Sequence, residues 1–149
     1  MITTLNNTPE FTEFYRQVSR GDLEAFQWLL AWHEYTHEID DLVDVFLPGP
    51  ELLMQTMAHA IDLYSLPFYQ KHTAALKGVA KTITGTYLIS VQWEHADDKW
   101  KRTCADILRH AGNDMIYAVA EVVGGWDWRM KTAAILSDRV IQDRNEPEV

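Results

Sequence analysis

At 149 residues, 47% of them hydrophobic, the chain is long enough for a single domain burying about 70% of the surface its unfolded form would expose. Thirteen Lys and Arg against 22 Asp and Glu give a formal charge of −9. That balance excludes broad contact with nucleic acid or an anionic membrane, because phosphate binding needs clustered basic side chains. The only cysteine, Cys104, excludes an internal disulfide and a multi-cysteine zinc site. No run approaches the ~20 apolar residues that span a bilayer, and MITTLNNTPE lacks the pattern of a signal peptide, so a cytoplasmic location is expected.

In chain order, Thr8 before Pro9 predicts a helix start, and Gly21 its end. Asp22 then caps a second helix over residues 22–46, with a core face of Leu29, Trp32, Ile39, Val43 and Phe46, closed by Pro48-Gly49-Pro50. A third helix is expected over residues 51–64, with Leu52, Met57, Ala60, Ile61 and Tyr64 inward and a break at Ser65-Leu66-Pro67. Residues 74–93 fit both the strand and the helix period. Helix is preferred, because a lone strand leaves its backbone unpaired and no other stretch offers it a partner. A long helix over residues 99–123, stopped by Gly124-Gly125, and a last one over residues 127–143 complete an all-α bundle of five to six helices in one domain, residues 1–149.

The second helix carries Glu34, His37, Asp41 and Asp44 at spacings of three, four and three, a polar row beside its apolar face. Residues 33–45 contain no Lys or Arg, whereas a merely solvated face more often alternates signs. A second row runs through Asp106, His110, Asn113, Asp114, Tyr117 and Glu121, beside Ile107, Ala111, Met115, Ala118 and Val122. Two such rows sharing one interior would need cations, protons or water to relieve their repulsion. The expected metal ligands are Glu34, His37, Asp41, Asp44, Asp114 and Glu121. Magnesium is the expected ion, manganese its substitute and zinc the third choice, since the donors are mainly oxygen.

Asp40-Asp41-Leu42-Val43-Asp44 reads DDxxD, and Asn113-Asp114 with Glu121 reads NDxxxxxxE. In these motifs the chain resembles the class I isoprenoid synthases, which implies metal roles for Asp40, Asp41, Asp44, Asn113, Tyr117 and Glu121 around a prenyl diphosphate. Tyr117 replaces the usual Ser or Thr, and the chain is about half the usual length. In size, in the Glu38–Asp41 pair and in the run Asp114-Met-Ile-Tyr-Ala-Val-Ala, it resembles the all-α nucleoside triphosphate pyrophosphatases of MazG and dimeric dUTPase type. Ala111 stands where that family's second motif has a glutamate. This resemblance implies magnesium-dependent hydrolysis of a small phosphorylated molecule by a homo-oligomer. Glu38 would orient the attacking water, Lys77 and Lys81 would supply positive charge, and Asn113, Tyr117 and Trp126 would contact substrate.

Three further readings remain. His33-Glu34-Tyr35-Thr36-His37 is an HExxH, formally a zinc hydrolase signature. Glu34 and His37 also form one ExxH of the two that a di-iron bundle uses. Finally, the acidic rows are solvated faces of a non-catalytic helical oligomer or binding module, His59, His72 and His95 are structural, and the six Trp residues are core or interface.

Overall fold

The computed structural model describes the backbone of residues 9–45 and 47–145, and the side chains of residues 11–45 and 47–140. The expected cap Thr8 and core residue Phe46 lie outside them. The described residues are all-α. Six helices have ten residues or more: α1 (Pro9–Ser19), α2 (Leu23–Asp44), α3 (Pro50–Tyr64), α5 (Thr73–Trp93), α6 (Lys99–Leu108) and α7 (Asp114–Asn145). The five-residue α4 (Pro67–Lys71) and a 3-10 segment (Arg109–Asn113) complete them. Two compact units are formed, residues 1–77 and 78–149, with the boundary inside α5.

In the first unit α2 is the central element, packed against α1, α3 and α4. Its start is fixed by Asp22, whose Oδ1 accepts the Ala25 amide at 3.0 Å and so satisfies one of the first-turn N–H groups that lack a helical partner. The chain turns into that cap through Arg20 (φ 50°) and Gly21 (φ 85°), a left-handed pair that only Gly adopts freely. Phe14, Tyr15 and Val18 of α1, Trp28, Leu29 and Trp32 of α2, Leu63 of α3, and Phe68 and Tyr69 of α4 are buried. Pro50 and Pro67 occupy the first turns of α3 and α4, where the missing N–H costs no hydrogen bond.

The ambiguous stretch is helical, as preferred. In the second unit Met115, Ile116, Val119 and Ala120 of α7 are buried, as are Ala80 and Ile83 of α5. The helix expected over residues 99–123 is interrupted: α6 ends at Leu108, and Arg109–Asn113 tighten into the 3-10 segment before α7 starts. Arg109 holds this junction, its Nε donating to Ser90 Oγ at 3.2 Å, its guanidinium paired with Glu94 and lying 5.3 Å from the Tyr87 ring centre. The Gly124-Gly125 stop is present as a kink, because Gly125 (φ 81°, ψ −175°) is non-helical and helix resumes directly after it. An added Cβ at Gly124 would lie 2.7 Å from Trp128 Cβ, so this close approach also requires glycine.

Several expected core positions are not covered. Val43 on α2, Met57 and Ile61 on α3 and Ile107 on α6 are 39%, 58%, 68% and 60% exposed. Each lies on the apolar stripe its helix period defines, so the stripe extends past the part of the helix that is covered.

Candidate functional site on α2 and α3

The chemistry-bearing residues that the fold joins most directly lie across the α2–α3 seam. Glu38 projects from α2 between Thr56 and His59 of α3, three residues apart and so on one face. The Thr56 hydroxyl lies 2.9 Å from both Glu38 Oε1 and the Leu52 carbonyl, sharing one proton between two acceptors. His59 Nδ1 lies 2.6 Å from Glu38 Oε2. Both carboxylate oxygens are therefore occupied. The hydrogen bond to Glu38, reinforced by the charges of Glu38, Asp62 and Glu34 against a smaller desolvation effect, raises the His59 pKa above its ordinary 6.5. His59 is half-exposed, its side chain 45% accessible, and with Nδ1–H committed to the carboxylate its Nε2 is the nitrogen available as a base.

Beside this pair Glu34, Asp41 and Asp44 are exposed on α2, and Asp40 and His37 are intermediate. Burial lowers the His37 pKa, and Asp40 and Asp41 oppose that shift. Among the described residues no three His, Cys, Asp or Glu side chains form a ready-made metal cage. Magnesium characteristically needs only one or two carboxylates, with water and substrate phosphates completing its shell. The exposed oxygen donors of α2 suit that mode, and Asp41 and Asp44, one turn apart, are the pair that could hold such an ion, whereas Glu34 lies two turns further along the helix.

His33, the first residue of the HExxH, is turned towards α1. Tyr15 Oη and His33 Nδ1 share a 2.6 Å hydrogen bond, and the His33 and His37 ring centres are 4.4 Å apart. Burial pushes the Tyr15 phenol up. Burial first, and His37 second, lower the His33 pKa from 6.5 to about 4. The folded protein thus keeps His33 neutral at pH values where the unfolded chain protonates it. Its stabilising contribution is complete above pH 6.5 and is lost as pH falls towards 4, about 2 kcal/mol after allowance for its partial solvent contact. Urea titrations from about pH 7.5 to about pH 4.5 should show this loss in the wild type and a smaller one in His33→Gln. Equal pH dependence in both proteins would refute the assignment.

The remaining predicted residues belong to the second unit or to α5. The Asp114 pKa is raised by burial, with Arg129 opposing. Burial also raises Tyr117, against a hydrogen bond with Ser137. Glu121 is paired with Arg129 at 2.7 Å, so the carboxylate expected as a metal ligand already has a cationic partner. Asn113 lies at the end of the 3-10 segment, Trp126 is 62% exposed, and Lys77 and Lys81 are exposed on α5.

Thr56 is not among the residues that sequence spacing selects, and His59, one turn from Asp62, reads there as structural. The available signal was the helical repeat placing Thr56, His59 and Leu63 on one face of α3, but nothing along the chain aligns that face with Glu38. No protein-family profile, curated protein or solved structure matches the chain.

Proposed function

We propose that the α2–α3 face hydrolyses a diphosphate-containing small molecule with the help of magnesium or manganese, a nucleotide before a prenyl diphosphate, in a protein that works as a homo-oligomer. The observation that carries this reading is the Glu38–His59 hydrogen bond at a half-exposed position on the helix that also exposes Glu34, Asp41 and Asp44. Glu38, expected to act directly on water, instead positions His59, because both its oxygens are engaged. His59 Nε2 takes the proton of the attacking water while Glu38 balances the charge gained by the ring. A bound divalent ion would offset the charge that builds on the phosphate oxygens. The apolar surface beside the seam also supports a second reading, a non-catalytic binding module, which the same experiment separates.

Thermal unfolding should be recorded with magnesium, manganese or zinc, alone and with nucleoside triphosphates or prenyl diphosphates. A ligand at a hundredfold excess over its Kd adds about 2.7 kcal/mol, a rise of several degrees in Tm. The expected result is a magnesium-dependent rise with a nucleotide, accompanied by phosphate or pyrophosphate release. Asp41→Asn combined with Asp44→Asn should abolish both. An unchanged rise in that double variant removes the metal site from α2, a zinc-only response selects the HExxH residues, and absence of turnover with every substrate leaves the binding module.

A further inference from the structure

The imidazoles of His33 and His37 are a metal-ligating pair that the α2–α3 reading leaves unused. They lie one turn apart on α2, with ring centres separated by 4.4 Å. Two imidazoles that share one zinc through nitrogens about 2.0–2.1 Å from it hold their ring centres about 5 Å apart, so a small side-chain adjustment closes this pair on an ion. His33 Nε2 is buried and, among the described residues, has no hydrogen-bond partner. A buried polar atom in that condition weakens the fold unless something binds to it.

The surroundings of His33 are those of a ligand held in place. Its Nδ1 lies 2.6 Å from Tyr15 Oη, and when Nδ1–H donates to that oxygen the lone pair of the ring is on Nε2, the nitrogen without a partner. A hydrogen bond at the far nitrogen is what fixes the tautomer and orientation of metal-bound histidine. Phe11 and Tyr15 of α1 also pack against the ring, with centres 5.4 and 5.5 Å away, and form an apolar wall beside it. Burial disfavours the protonated form of both His33 and His37, which leaves each imidazole a lone pair to give. Asp40 and Asp41, whose charges act on His37, add a negative field that favours a cation.

We infer that His33 Nε2 and the His37 imidazole bind a divalent transition-metal ion of the zinc type, with water in the remaining positions. Imidazole suits zinc, copper and nickel, whereas magnesium selects oxygen donors such as Asp41 and Asp44. The two sites therefore take different ions. This one stands apart from the hydrolytic reading of the α2–α3 face, and neither depends on the other.

Isothermal titration of the full chain with zinc chloride, in excess magnesium chloride, tests this. The wild type should bind zinc despite the magnesium. Loss of a partner that orients a ligand typically costs 10–100-fold in metal affinity, so Tyr15→Phe, which removes only the accepting oxygen, should weaken zinc binding by about that factor. His37→Gln, at a partly exposed position, should weaken it about a hundredfold or more with unchanged helical circular dichroism. Asp41→Asn combined with Asp44→Asn should still bind zinc. A wild type that binds no zinc overturns the inference, as does an affinity unchanged in His37→Gln. An adventitious histidine pair would lose affinity in His37→Gln but not in Tyr15→Phe, and that result also overturns it. Zinc binding lost in the aspartate double variant and kept in His37→Gln would move the ion to the carboxylates. None of these results alters the magnesium-dependent turnover that the double variant tests.

Discussion

Replacing Trp28 by alanine is expected to destabilise the protein by about 3–5 kcal/mol, the range for truncating a buried tryptophan. Trp28 is fully buried in α2. Its ring stacks on Tyr69 with centres 5.2 Å apart and touches Trp32 and Tyr64 at 5.8 and 6.1 Å, so one side chain joins α2, α3 and α4. The loss combines apolar surface returned to water with contacts that the remaining rings recover only by moving. Since domains are stable by only about 5–15 kcal/mol, the residues 1–77 unit should be largely unfolded in mild denaturant. Urea unfolding followed by far-ultraviolet circular dichroism measures this, and a midpoint within error of the wild type would show that the aromatic cluster is not the anchor. Trp28→Phe, which retains a stacking ring, should recover much of the loss.

Removing the imidazole of His59 should reduce turnover about 10²–10⁴-fold if that ring transfers a proton in the rate-limiting step. His59→Ala removes a side chain on the exposed face of α3, so the unfolding midpoint should change little. The Glu38→Gln variant tests the positioning role separately. Without the carboxylate, the largest influence that raises the His59 pKa is gone and only the charges of Asp62 and Glu34 remain, so the pH at which activity appears should move down as maximal turnover falls. Because the unprotonated ring is the base, wild-type activity should rise with pH through a value above 6.5. Turnover unchanged in His59→Ala would eliminate the base, and an unmoved pH profile in Glu38→Gln would eliminate the coupling.

The local grammar of the chain was readable where a single residue decides the outcome. Asp22 caps α2 and Gly125 breaks α7, each through a backbone effect that acts within a few residues, whereas Pro50 and Pro67, read as closing one helix and breaking another, also begin α3 and the unexpected α4. The 3-10 segment was not readable, because Gly112 costs an intact helix only about 1 kcal/mol and the stripe through Ile107, Ala111 and Met115 continues across it. Periodicity also correctly grouped Met57 with Ile61 and Ile107 with its neighbours, but it reports which residues share a face and not whether anything covers that face. The same limit applies to the site. The acidic row was visible within α2, whereas the union of Glu38 with Thr56 and His59 depends on the register of one helix against another, which residue spacing does not encode.

The conformation of Gly125 separates α7 into two lengths that do not share one continuous ladder. Amides just after the break and carbonyls just before it fall outside the ordinary four-residue pairing, so both inner ends have the weaknesses of helix termini. Deuterium uptake should consequently begin in the middle of this longest helix, around residues 125–128, sooner than in the buried turn containing Met115 and Val119.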